Sequence, residues 1–216
     1  MTCGYGRSMG PSSSGRREWF PPPAIGSWWM SARDDPLTGF VAWPGFFARL
    51  PGMLAEHLHA GRSVGFAIGE VNDLSGYIEG LSAADARAVG HLAGVELVTR
   101  LGATARDWLH DDDVRDGCLA TFGRGEIVLV AVARSETAFV SHVGRLRAGL
   151  MDALPRNVSF VATVLDARSV PHSVANDAWR DFCVQVIGRV ERALFAQTSA
   201  RRHHRPSLPI VTISVR

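Results

Sequence analysis

The chain has 216 residues, of which 46% are hydrophobic, enough for one globular domain of about 150–180 residues plus tails. A formal net charge of +2 does not indicate a nucleic-acid-binding protein, and the absence of lysine among its 23 basic residues excludes a lysine phosphate ligand or base. The three cysteines are widely spaced, and no apolar run reaches the ~18 residues of a membrane span. We therefore expect a soluble cytoplasmic protein with no nucleic-acid or membrane partner.

The first 33 residues differ in composition from the rest of the chain. They are rich in Gly, Ser, Pro and Arg, which is typical of segments that cannot bury a core. Trp19, Phe20, Trp28 and Trp29 offer contacts to the domain, but the composition favours a loosely attached tail. We predict a disordered tail over 1–33, removable to about residue 30 without unfolding, a domain over 34–205 and a C-terminal strand extension over 206–216.

The apolar spacing predicts the elements of this domain in order. After a turn at 34–40, residues 44–60 form an amphipathic helix that Pro51 should kink or end after its first turn. A buried strand follows, and then a long helix that begins with a capping box of Ser82 and Asp85. The predicted segments after the first helix are strand 63–71, helix 81–109, hairpin 118–133, helix 136–154, strand 158–165, helix 173–199 and strand 208–215. This order predicts an α+β fold of the ferredoxin-like or palm type, an antiparallel sheet backed by helices.

The hairpin organises the candidate site. Its two strands are separated by Gly123-Arg124-Gly125, where glycines permit a positive φ and a close approach of the backbone to a ligand. Glu126 follows directly from this turn, and Glu70 lies at the end of the first predicted strand. These two carboxylates are the pair that the fold brings together, either as a metal site or as a purely structural pair.

Five short motifs follow one another from residue 35 to about residue 203. They fall on residues 35–40 (DPLTGF), 70–72 (EVN), 90–95 (GHLAGV), 123–127 (GRGEI) and 193–202 (ALFAQTSARR). Together they resemble the motifs of the diguanylate cyclase, or GGDEF, domain family. The resemblance implies a nucleotide cyclase-like fold in which two domains, each holding GTP, make cyclic di-GMP with the help of Mg²⁺ bound by carboxylates.

The resemblance also assigns site residues. It implies Mg²⁺ held by Glu70, the backbone carbonyl of Val71 and Glu126, with Glu126 the residual catalytic acid. The residues implied to contact a nucleotide share a place near the phosphates or at the hairpin tip. They are Asp73, Leu74, Gly123, Arg124, Gly125 and Arg202.

The chain departs from the family where the chemistry takes place. Glu70 replaces the first metal-binding aspartate, and Gly125 replaces the acid at the third signature position. The guanine-reading asparagine and aspartate fall on Ile78, in a stretch with extra residues, and on Val95. A buried donor left unpaired costs about 1–3 kcal/mol, so these losses should abolish the preference for guanine. Thr198 takes the place of the phosphate-contacting lysine.

Two further observations concern the hairpin and the segment before it. The product-inhibition motif R-x-x-D is absent, because Val114 and Gly117 occupy its charged positions. A one-residue slip of the hairpin would place Glu126 at the third signature position, but it would reverse every side chain between the two faces of the sheet. The unslipped alignment keeps the apolar positions of the family, and we prefer it.

We therefore interpret the chain as a degenerate GGDEF domain of bacterial signalling. The expected role is a nucleotide-binding or protein-interaction module without diguanylate cyclase activity, which binds GTP or another nucleotide and pairs as a homodimer or with a signalling protein. The alternatives are an active, divergent cyclase that uses Glu70 and Glu126, and a scaffold that binds no nucleotide.

Overall fold

The fold is a six-stranded mixed sheet with helices on both faces. The structure, a computed structural model, describes residues 29, 34–74, 76–77, 79–80, 88–109, 115–123, 125–154, 157–171, 175–202 and 210–213. The elements are β1 (Val41–Ala42), α1 (Trp43–His59), β2 (Ser63–Val71), α2 (Ala88–Leu109), β3 (Arg115–Thr121), β4 (Glu126–Ala133), α3 (Glu136–Ala153), β5 (Val158–Leu165), α4 (Asn176–Arg202) and β6 (Ile210–Thr212). A short 3₁₀ helix, Ala167–Ser169, precedes α4.

The strand order is β1-β3-β4-β2-β5-β6. The four inner strands pair antiparallel, whereas β1 joins β3 and β6 joins β5 in parallel. The α+β prediction of an antiparallel sheet backed by helices is thus confirmed for the inner strands, and the two edge strands make the whole sheet mixed.

The two faces of the sheet have separate cores. On one face α1 and α4 pack against β2, β4 and β5, with side chains such as Phe46, Phe66 and Val190 fully buried. On the other face α2 and α3 cover the same strands, with Leu101 and Phe139 among the buried residues. The inner strands read as nearly continuous apolar runs because both of their faces are covered.

Several predicted elements differ in detail from the observed ones. The α1 helix continues across Pro51 to His59, so Pro51 does not end it. The predicted cap at Ser82 and Asp85 lies outside the described residues. Within the last predicted strand, 208–215, the described residues include the three residues of β6 beside β5. None of the described helices is long and apolar enough to cross a membrane.

Trp29 changes the domain boundary that the sequence predicts. Its side chain is 1% exposed, and its ring stacks on Phe46 of α1 with the ring centroids 5.2 Å apart. A residue assigned to the tail over 1–33 therefore belongs to the core, since a buried aromatic contributes a large apolar area. Residues 1–28 and 30–33, the rest of the predicted tail, lie outside the described residues.

Candidate functional site

Glu70 and Glu126 meet at one end of the central strands. Glu70 is paired with Glu126 of β4 on one side and with Ser159 of β5 on the other. Directly opposed residues of an antiparallel pair share a face and have neighbouring Cβ atoms, so the two glutamates lie side by side at this end of the sheet. Both glutamates are partly exposed. The part of the chain that the structure describes contains no group of three or more His, Cys, Asp or Glu that could hold a metal.

The hairpin turn that carries Glu126 is held by a buried threonine. Gly123 and Gly125 have φ values of 95° and 84°, so both occupy the positive-φ region that favours glycine. The Thr121 hydroxyl donates to the Glu126 carbonyl at 2.9 Å and accepts from the Gly123 amide at 2.8 Å. Thr121 was not among the predicted site residues, although a threonine at a strand end before a turn is a signal for such a contact. Arg124 lies outside the described residues.

Leu74 packs directly against Gly125. The Leu74 side chain is 4% exposed, and a Cβ at Gly125 would lie 2.4 Å from its Cδ2. The Val71 amide also donates to the Gly125 carbonyl at 3.2 Å, which holds the turn against the end of β2. The position that the resemblance assigns to the third signature acid is therefore a glycine, and a Cβ there would have to displace Leu74 Cδ2.

The residues that follow β2 form a polar cluster with β5. The Ser159 hydroxyl lies 3.1 Å from Nδ2 and 3.2 Å from Oδ1 of Asn72, so it accepts from the amide nitrogen and donates to the amide oxygen. The Asn72 backbone amide donates to the Asn157 carbonyl at 2.9 Å. Ser159 is fully buried and was not predicted, because a contact between residues 87 positions apart leaves no local sequence signal. Asp73 is exposed and has a φ of 54°.

The remaining family positions lie on α2 and α4. Val95 is half-buried on α2, and Ile78 lies outside the described residues. Thr198 is 7% exposed, and its hydroxyl donates to the Phe195 carbonyl at 3.2 Å. Arg202 is the last residue of α4, and its side chain is outside the described part. Of these positions, Val95 therefore has an apolar side chain, and Thr198 has a hydroxyl that already hydrogen-bonds within its own helix.

The first motif, residues 35–40, is a turn held by its own side chains. Asp35 Oδ1 accepts hydrogen bonds from the Thr38 amide and hydroxyl, both at 2.8 Å. Arg106 of α2 donates to the Thr38 carbonyl at 2.9 Å, a contact that the sequence pattern does not predict. The Asp35 turn therefore fixes the chain that enters β1, and its role is structural.

A buried histidine of α1 lies close to the start of β3. His57 of α1 is 2% exposed, with its Nε2 3.8 Å from Asp116 Oδ2, and neither ring nitrogen has a hydrogen-bond partner. Burial, and next the charge of Arg62, lower the pKa of His57. Asp116 itself adopts a positive φ of 48° where the pairing of β3 with β4 shifts register. Neutral His57 is therefore the form that the fold accommodates.

Comparison with known proteins gives a clear structural answer. No protein-family model matches the sequence, and no curated protein matches it either. The solved GGDEF domain of DgcB from Caulobacter crescentus in complex with c-di-GMP superposes with a TM-score of 0.60 at 14% identity, covering 83% of this chain and 94% of that chain. The FimX GGDEF domain from Pseudomonas aeruginosa gives a TM-score of 0.58 at 16% identity, covering 83% and 98%.

A third similar structure is the diguanylate cyclase SiaD in complex with its activator SiaC, from Pseudomonas aeruginosa. It gives a TM-score of 0.60 at 17% identity, covering 83% of this chain and 61% of that chain. At these identities the comparisons establish the fold, and they leave the chemistry to be argued from the residues.

Proposed function

Since the chain has the fold of GGDEF domains, we propose that it is a catalytically silent member that acts as a nucleotide-binding or protein-interaction module in cyclic-di-GMP signalling in the cytoplasm. The contact of Leu74 with Gly125 carries this proposal. Phosphoryl transfer needs a positioned acid to hold metal or accept the hydroxyl proton. Here the third signature position holds a glycine whose neighbouring space a buried leucine occupies.

The positions that would read the base and the phosphates support the same conclusion. The Val95 side chain has no group that could hydrogen-bond to a guanine edge. The Thr198 hydroxyl donates to the Phe195 carbonyl of its own helix. A site built on polar contacts discriminates strongly, whereas an apolar site discriminates between bases by only about 1–3 kcal/mol. We therefore expect any nucleotide to bind weakly and with little preference between GTP and ATP.

Residual binding would come from the groups that remain. The Glu70 and Glu126 carboxylates and the Val71 carbonyl are oxygen donors of the kind that Mg²⁺ prefers, and a bound Mg²⁺ would neutralise phosphate charge. We place the phosphates beside the backbone at Asp73 and Leu74 and against the hairpin tip. The tip residues are Gly123, Arg124 and Gly125, with Arg202 as a further contact at the end of α4.

The partners proposed for this chain follow the kinds seen in similar structures. DgcB is bound to c-di-GMP, and SiaD is bound to an activator protein. For this chain we propose a nucleotide, together with a second copy or a signalling protein.

An active divergent cyclase is the second candidate function. The register that places Glu70 opposite Glu126 favours it, because two carboxylates on neighbouring strands are the minimum for a bridging metal. In this reading Glu126 would be the catalytic acid, and the slipped hairpin alignment would apply.

One pair of experiments separates the two candidates. The purified chain is incubated with GTP and Mg²⁺ or Mn²⁺ and assayed for cyclic di-GMP, with Glu126→Gln as the matched control. We expect no product. Calorimetry with GTP and ATP, with and without Mg²⁺, should show weak, metal-dependent binding that differs by less than tenfold between the two. Product that disappears in Glu126→Gln would establish the divergent cyclase instead. Exclusion of ATP by tenfold or more would show that the guanine-reading positions are misaligned and would favour that alternative.

A further inference from the structure

The His57 side chain is a buried base without a hydrogen-bond partner. It is 2% exposed, and in the part of the chain that the structure describes it is the only ionisable group whose buried nitrogen or oxygen atoms lack such a partner. Buried polar groups are nearly always hydrogen-bonded, because leaving one unpaired costs free energy. An unpaired imidazole in the interior therefore needs an explanation, and its ordinary pKa of about 6.5 makes proton uptake the first chemistry to consider.

Asp116 faces His57 from an irregular part of β3. The register of β3 against β4 shifts between Arg115 and Cys118, so β3 contains a β-bulge there. Asp116 lies in this bulge with a φ of 48°, a conformation that residues other than glycine seldom adopt. The bulge thus holds a carboxylate oxygen of the sheet 3.8 Å from the imidazole Nε2 of the helix. Backbone strain of this kind is a pointer to function when a second observation accompanies it, and the unpaired imidazole is that observation.

We propose that His57 and Asp116 form a proton-dependent latch between the end of α1 and the start of β3. While the imidazole is neutral, the 3.8 Å gap to Asp116 is longer than a hydrogen bond. When His57 takes up a proton from solvent, its Nε2–H donates to the Asp116 carboxylate, and a charge-assisted hydrogen bond replaces the gap. The Asp116 side chain is 42% exposed, so it is free to turn toward the ring without disturbing the core.

The other charged groups around His57 set the pH at which the latch closes. Arg62, in the turn after α1, disfavours the protonated imidazole, and Glu56, next to His57 on α1, favours it. These two side chains form an ion pair of 3.4 Å, so their effects on His57 partly cancel. The helix α4 also packs against α1, and its first turns carry three charged residues: Asp177, Arg180 and Asp181. Burial is the largest effect and lowers the pKa of His57, so the latch closes only below about pH 6.5.

The closed latch reduces the cost of a buried positive charge without removing it. The stability of the chain still falls as the pH drops, but the fall is smaller than it would be without the Asp116 carboxylate. In acid the latch ties the start of β3, the strand that leads into the hairpin, to the last turn of α1. It requires neither a nucleotide nor a metal, and it does not depend on the proposed function.

An NMR titration of the imidazole signals of the full chain, between about pH 4 and pH 8, tests the latch. We expect Asp116→Asn to lower the pKa of His57 further, because the attraction of the carboxylate is lost, and Arg62→Gln to raise it. Asparagine tolerates the positive φ of Asp116, so this variant should fold. The matched control is Asp152→Asn, which changes an exposed aspartate of α3 on the other face of the sheet and should leave the titration of His57 unchanged.

A double-mutant cycle shows at which pH the contact exists. The coupling between His57→Gln and Asp116→Asn, measured by urea denaturation, should be near zero at about pH 8 and should grow as the pH falls through the titration of His57. Two results would overturn the proposal: a His57 titration in Asp116→Asn that equals or exceeds that of the wild type, or a coupling that does not change with pH. The NMR measurement keeps His57 in place, so it stands even where His57→Gln fails to fold.

Discussion

Substitution of Gly125 by alanine measures how strongly the hairpin turn depends on a glycine packed against Leu74. The alanine must adopt a φ of 84°, which costs about 1–2 kcal/mol for an L-residue. Its Cβ must also displace Leu74 Cδ2, which lies 2.4 Å from the Cβ position. Overpacking costs about 1–3 kcal/mol, and we expect the lower half of that range because Cδ2 is the end of a side chain. The free energy of unfolding should therefore fall by about 2–4 kcal/mol.

Gly123 provides the matched control in the same turn. Its φ of 95° imposes a similar backbone cost, but no atom lies within 4 Å of a Cβ at that position. Gly123→Ala should therefore lower the free energy of unfolding by only about 1–2 kcal/mol in urea denaturation. In a Leu74→Ala background the two glycine substitutions should cost the same amount. The coupling between Gly125 and Leu74 is then about 1–2 kcal/mol. Equal costs in the wild-type background would refute the steric argument.

Three other measurements test the structure. Trp29→Ala should lower the free energy of unfolding by about 3–5 kcal/mol in urea, as expected for a fully buried aromatic, and a change below 1 kcal/mol would return residue 29 to the tail. Burial, and next Arg62, lower the pKa of His57 in the folded chain, so the unfolded chain binds more protons below about pH 6.5 and stability should fall as the pH drops through that range. His57→Gln should flatten this dependence, and His59→Gln, an exposed control on the same helix, should not. Mg²⁺ should raise the melting temperature of the wild type and leave that of Glu126→Gln unchanged; equal shifts would remove the carboxylate pair as a metal site.

The fold was largely predictable because its inner elements carry strong local patterns. The bounds of β4 and β5 agree with the predicted strands, since uninterrupted apolar runs end at turn residues. β1 was not predicted, because two residues between a turn and a helix have no periodicity. Trp29 was assigned to the tail for a related reason: composition averages over a window and cannot identify one side chain that stacks on α1.

The site was predictable only where residues close together in the sequence determine its geometry. Placing Glu126 after a tight turn and Glu70 at a strand end was sufficient to bring the two together across β2 and β4. The contact of Leu74 with Gly125 and the hydrogen bonds of Ser159 were not predictable, because they depend on how residues distant in sequence pack. The family resemblance placed the backbone of Leu74 near the phosphates. In the structure the Leu74 side chain packs against Gly125.

Two positions that differ from the GGDEF motifs take part in contacts, and this bears on whether a single substitution could confer synthesis of cyclic di-GMP. Gly125→Glu would place its Cβ 2.4 Å from Leu74 Cδ2 at a positive φ, so we expect an acid at this position to be better tolerated with a smaller residue at 74. Thr198→Lys would place an amine at a position that is 7% exposed and would remove the hydroxyl that bonds the Phe195 carbonyl. A buried charge without a partner is strongly destabilising. At these two positions a polar group could be introduced only by displacing existing contacts, so we expect synthesis to require paired substitutions there. This coupling supports a silent site in preference to an active cyclase with a few tolerated changes.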